Sequence, residues 1–183
     1  VILPSNGWSD IAKANLPAKE LLSDGLYPLF GITALTSFMS LAYDSEMSLV
    51  TAIQSAVITF ISFFATYFVA NMLFSTFIGK VMQAGVAGDS ESRSVRVPDE
   101  RLYSTFIIYN LAVLSVITLI QNLLPFELAL LQILPFCIVF VMWKGDAYLG
   151  IPEKKIGHFM FLSVFSILTP TYLLQYLFKL MIG

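Results

Sequence analysis

Five long apolar runs separated by short polar gaps make up most of this 183-residue chain, and nine of its ten Lys and Arg residues lie in alternate gaps between them. A helix that rises 1.5 Å per residue needs ~20 apolar residues to cross ~30 Å of hydrocarbon, because its backbone polar groups have no water to pair with. Hydrophobic residues make up 57% of the chain and charged residues 12%, against ~25% charged in soluble domains, so a water-soluble fold is excluded. The runs predict an all-α, polytopic integral membrane protein: a bundle of five transmembrane helices with a short N-terminal interfacial helix. The spans are expected at about 26–43, 49–78, 102–124, 126–143 and 159–182. Residues 1–24 then form an amphipathic N-terminal segment and 25–183 the transmembrane domain.

The charges orient the bundle. Lys13 and Lys19 precede the first run; Lys80, Arg93, Arg96 and Arg101 lie between the second and third; Lys144, Lys154 and Lys155 lie between the fourth and fifth. The opposite gaps hold Asp44 with Glu46, and Glu127, without a basic residue. By the positive-inside rule the N-terminus is cytoplasmic and the C-terminus outside. Lys179, near the end of the last run, is the exception and snorkels to the interface. Ile2, Leu3, Trp8, Ile11 and Leu16, interspersed with Ser, Asp and Lys, read as a piece lying in the interface plane, a disordered tail being the alternative. No cleavable signal peptide is visible, and the first run is expected to direct insertion. The polar stretch from Gly79 to Arg101 reads as a mobile loop, ended by a helix start at Pro98-Asp99-Glu100.

Packing faces follow from helical spacing. Ser55, Thr59, Ser62 and Thr66 recur every three or four residues, and small hydroxyl residues let helix backbones approach closely in lipid. Val57, Phe60, Phe64 and Phe68 occupy the other side, expected to face lipid or a bulky groove. In the third run Ser104, Leu111, Ser115, Thr118 and Asn122 share a face, and a contact between the two stripes is the preferred packing. Pro135 and Pro170 are expected to kink the fourth and fifth helices. Cys137, among large apolar residues, is expected to be a packed thiol.

Chemistry is sparse. The runs place no Asp, Glu, Arg or His at depth, so an intramembrane enzyme is not expected. The neutral Gln54, Asn71, Asn110, Gln121, Asn122, Gln132 and Gln175 read as interhelical hydrogen-bond partners, and His158 has no second ligand beside it. No catalytic residue, cofactor, metal or nucleic-acid partner is expected. The residues singled out for partner or lipid-headgroup contact are Arg93, Arg96, Arg101, Lys154 and Lys155. The partners expected are membrane lipids and other membrane proteins, including a second copy of the chain.

Several local patterns occur together in order: Pro4-Ser5 with Trp8 and Ile11, Tyr27-Pro28-Leu29, Trp143-Lys144-Gly145, and Gly150-Ile151-Pro152-Glu153-Lys154-Lys155. With the spans they resemble the Yip domain family, in particular the five-span bacterial members of the kind found in Bacteroidetes. The resemblance runs over essentially the whole chain. It implies a non-enzymatic protein of the bacterial cytoplasmic membrane, acting as a scaffold or as an accessory subunit of a membrane complex. Eukaryotic relatives bind prenylated Rab-type GTPases, but this chain lacks their long N-terminal cytoplasmic region, which puts such a partnership in doubt. A small transporter or channel component, its path lined by the neutral polar residues, is the alternative.

Overall fold

The computed structural model describes residues 4–14, 16–83, 97–124 and 133–182, and the regular elements among them are all helices. Helix α1 is Pro4–Ala14, α2 Ala18–Ala42, α3 Leu49–Gln83 and α4 Glu100–Leu123. A 3-10 turn at Leu134–Cys137 leads into α5, Ile138–Lys144; α6 is Asp146–Leu149, and a second 3-10 turn at Glu153–Lys155 leads into α7, Ile156–Ile182. Four helical stretches, Ala18–Ala42, Leu49–Met82, Glu100–Leu123 and Glu153–Met181, are long and apolar enough to cross a membrane. The multi-pass character read from the apolar runs is therefore present in the fold. Residues 125–132, which open the expected fourth span, lie outside the described residues, as do Arg93, Arg96, Glu127 and Gln132.

Each long helix carries the mark of its sequence. α2 starts earlier than the expected Leu26 and is wound as a π-helix over Leu21–Leu26, directly before Pro28, whose missing N–H interrupts the regular ladder. Its last turns, Thr36–Ala42, tighten to 3-10 while Thr36 and Ser40 donate to the carbonyls of Thr33 and Ser37 at 2.6 Å each. α3 runs on past Gly79 to Gln83, into the stretch expected to be loop. At 35 residues it is about 52 Å long, so it must tilt or project beyond ~30 Å of hydrocarbon. Asp99 takes the extended N-cap conformation before α4, as the Pro98-Asp99-Glu100 sequence predicts.

Thr66, fully buried on α3, donates to the Ser62 carbonyl at 2.7 Å and stands 3.2 Å from Thr171 Oγ1 of α7. Ser115 of α4 faces α2 instead, 2.8 Å from Thr33 Oγ1, and Asn122 donates to Thr36 Oγ1 at 3.0 Å. Thr66 and Ser115 thus bond toward α7 and α2. Ser104, a member of the α4 face, donates to Asn71 Oδ1 of α3 at 2.7 Å, and Phe74 of α3 packs against Tyr103 and Phe106. Val57, Phe64 and Phe68 are exposed on the outer side of α3. Interhelical hydrogen bonds in membranes contribute about 0.6 kcal/mol on average, so Thr66→Val is expected to lower stability by no more than about 1 kcal/mol, read as a small shift of thermal unfolding in detergent.

Cys137 is exposed, which corrects the expectation of a packed thiol. The 3-10 turn at Leu134–Cys137 points Pro135 into the bundle and leaves Phe136 and Cys137 outside. α7 continues through Pro170; Thr171 donates to the Ile167 carbonyl at 2.7 Å, beside the ladder bond the proline lacks. Pro135 is the second residue of the 3-10 turn at Leu134–Cys137.

Candidate functional site

At one end of the bundle α1 lies across the first turns of α4 and the junction of α5 with α6, and Trp8 fastens it there. The indole is buried, stacked against Phe106 at 5.4 Å and against Tyr148 at 5.2 Å between ring centroids, with Tyr109 edge-on at 6.3 Å. Its Nε1–H donates to the Val141 carbonyl at 3.0 Å. A buried indole N–H needs such a partner, and Val141 O, in the last turn of α5, takes it on its second lone pair beside the Gly145 N–H at 3.2 Å. Residues 4–14 are thus helical and packed on the bundle through Trp8.

Two glycines allow the docking surface to form. At Gly145 a Cβ would lie 2.4 Å from Phe106 Cε2, 2.8 Å from Cδ2 and 3.2 Å from the Met142 carbonyl, so this position admits the ring that Trp8 stacks on. Gly150 has φ +66°, a left-handed residue that ends α6 and lets Ile151 N–H reach the Asp146 carbonyl at 2.9 Å. Leu149 and Ile151 on either side are buried. Gly150→Ala is expected to cost about 1–2 kcal/mol through the left-handed backbone alone, and Gly150→Asn less, measured by thermal unfolding of the purified protein.

Beneath α1 lies a cavity of about 500 Å³. Its wall combines Arg101 of α4 and Lys144 of α5 with Asp99, the hydroxyls of Ser9 and Thr105, and apolar side chains including Ile11, Leu16, Leu21 and Leu102. Lys144 Nζ lies 5.4 Å from the ring centroid of the exposed Trp143, at the rim. Burial pushes the Tyr148 phenol above its ordinary pKa, while its hydrogen bond with Thr105 and the positive charge of Arg101 pull it partly back. Arg101, Thr105 and Tyr148 thus form one electrostatic neighbourhood.

A second cavity, of about 350 Å³, opens at the opposite end, between the ends of α2, α4 and α7 and the start of α3. Its lining includes Ser55, Thr59, Thr118, Asn122, Gln175 and Lys179. Four residues of the expected packing faces therefore line a polar space, while Ser62, Thr66, Leu111 and Ser115 are the members that are fully buried. Asn110 is also fully buried; it donates to the Phe106 carbonyl at 2.7 Å, and its Oδ1, like Ser62 Oγ and Ser166 Oγ, has no partner among the described residues.

Of the basic residues singled out from sequence, Arg101 lines the cavity under α1, and Lys154 and Lys155 belong to the 3-10 turn before α7. Lys144, Tyr109 and Tyr148 join Arg101 there without having been singled out. The signal for Lys144 was its place beside Trp143 and Gly145, a motif read as family resemblance and not as a site. Among the described residues no three His, Cys, Asp or Glu side chains come together as metal ligands. Comparison with protein-family models, with curated proteins and with solved structures gives no match.

Proposed function

We propose that this chain is a non-enzymatic, five-crossing membrane scaffold or accessory subunit of the Yip type, seated in the bacterial cytoplasmic membrane with its N-terminus inside and its C-terminus outside. One observation carries the reading. The N-terminal segment, the start of α4 and the turn after α5 are the three segments whose charge assigns them to the cytoplasm, and they converge around one cavity. A contact surface assembled from chain segments so far apart, and fastened by a buried Trp with a satisfied N–H, suits recognition of a partner at the membrane surface.

The fifth crossing is supported by where the described residues lie. α4 starts beside the cavity under α1, and Asn122 at its end meets Thr36, at the opposite end of the bundle. Pro135 and Phe136 line a groove with Gln121 and Tyr172, near that opposite end, whereas Val141 and Lys144 are back beside Trp8. These positions support a return of residues 133–144 toward α1, and α7, whose Gln175 and Lys179 line the second cavity, would then make the last crossing.

The second cavity is the observation that favours the alternative, a transporter or channel component. Along α4, however, Phe106, Ile107, Leu111 and Leu114, all fully buried, separate Thr105 at one cavity from Thr118 at the other. A solute path would have to open that packing, which the scaffold reading does not require. Affinity purification from gently solubilised membranes is expected to recover a stoichiometric partner or a homo-oligomer. Recovery of monomer alone, under conditions where α1 stays docked, would overturn the scaffold.

A further inference from the structure

We infer that the cavity under α1 binds one net-anionic glycerophospholipid, its phosphodiester directed to Arg101 and Lys144 and its proximal chain carbons to the apolar wall. The inference rests on the cytoplasmic assignment of this face. The lining divides chemically: Arg101, Lys144, Asp99 and the Ser9 and Thr105 hydroxyls supply polar contacts, while side chains such as Leu16, Leu21 and Leu102 supply an apolar surface. A ligand matching both must itself be amphipathic. Two cations and one carboxylate leave the lining with one positive charge, which a phosphodiester, carrying one negative charge, balances. A phosphomonoester would bring close to two. A volume of about 500 Å³ lies within the ~300–1,000 Å³ usual for small-ligand sites, sufficient for a headgroup and glycerol with the start of a chain. The position fits the source, because basic residues at the cytoplasmic end of membrane helices meet anionic leaflet lipids without either partner leaving the interface. Leu16, nearly half exposed at 46%, extends the apolar wall to the surface, where the rest of the chain can pass into the bilayer.

The test uses the full chain, delipidated in non-ionic detergent and given an equimolar mixture of phosphatidylglycerol and phosphatidylcholine, with bound lipid counted by native mass spectrometry. The wild type is expected to retain phosphatidylglycerol over phosphatidylcholine by about tenfold or more. Arg101→Gln and Lys144→Gln should each remove most of that preference, and Lys80→Gln, a cation of the same face outside the cavity, should leave it intact. Lys144 is exposed, so its variant tests the charge without threatening the fold, and Ala12→Phe tests the space by blocking the cavity without changing its charge. Soluble glycerophosphoglycerol separates the two sources of the phosphodiester: it should fail to displace the lipid at equal concentration, and equal displacement would overturn a lipid site in favour of a free-phosphodiester site. A preference unchanged in Lys144→Gln, or lost equally in the Lys80→Gln control, would also overturn it. Loss of lipid preference with the co-purifying partner retained would remove the lipid and leave the scaffold; lipid retained without any partner would do the reverse.

Discussion

Trp8→Ala is expected to release α1 from the bundle while the long helices stay packed. The indole meets three aromatic rings and places its N–H on a backbone carbonyl, so truncation removes a large buried surface and leaves a cavity against Phe106 and Tyr148. Core Trp→Ala changes cost about 3–5 kcal/mol, and a freed amphipathic helix recovers part of that by lying on the membrane, so a net loss of about 3 kcal/mol in docking is expected. At 1.4 kcal/mol per decade this is roughly a hundredfold in the docking equilibrium. Hydrogen exchange across residues 4–14 should accelerate by that factor while exchange in α3 and α4 stays slow, and trypsin should cut after the exposed Lys13. Trp8→Phe, which keeps a ring and gives up the N–H, should fall between the two at about 1 kcal/mol. Unchanged protection of α1 in Trp8→Ala would show that the helix is held by something else.

Gly145→Ala should produce the same release from the other side. Its added Cβ would meet the Phe106 ring at 2.4 Å, far inside van der Waals contact. Phe106 has no room to yield: it is fully buried between Trp8, Phe74 and Phe159, with centroids 5.4, 5.9 and 5.4 Å away. Overpacking of this kind costs about 1–3 kcal/mol, here divided between displacing α1 and shifting the α5–α6 junction away from α4. Exchange in both α1 and α6 should therefore rise, which distinguishes this variant from Trp8→Ala. Enlarging Phe106's space by Phe106→Leu should rescue part of the loss in the double variant, and an absence of any coupling between the two positions would count against the contact.

The sequence made the long helices legible because lipid imposes a length and a composition that soluble folds do not share. It left their neighbours undetermined. Ser62, Thr66, Ser115 and Thr118 were recognisable as small hydroxyl faces, yet Thr66 and Thr118 satisfy their hydroxyls on their own helix, bonding to the carbonyls of Ser62 and Leu114. A hydroxyl that can bond within its helix says that something packs closely there without saying which helix does. Trp8 was legible as amphipathic, but Phe106 and Tyr148 lie about one hundred or more positions away in helices apolar on most sides, where periodicity marks no single face. Gly145 and Gly150 stood out as parts of a motif, and their reasons, a ring at close approach and a left-handed turn, exist only in the folded chain. Cys137 misled for a local reason: Pro135 winds the following turn as 3-10 and so turns the thiol outward.

Cysteine accessibility in sealed membrane vesicles measures the number of crossings most directly. In a Cys137→Ser background, single substitutions Lys13→Cys, Asp44→Cys, Lys155→Cys and Lys179→Cys would be exposed to a membrane-impermeant maleimide from either side. A five-crossing bundle with a cytoplasmic N-terminus requires Lys13→Cys and Lys155→Cys to react from the cytoplasmic side, and Asp44→Cys and Lys179→Cys from the other. Reaction of Lys13→Cys and Lys179→Cys from the same side would mean an even number of crossings and would contradict the fold's proposed passage through the membrane.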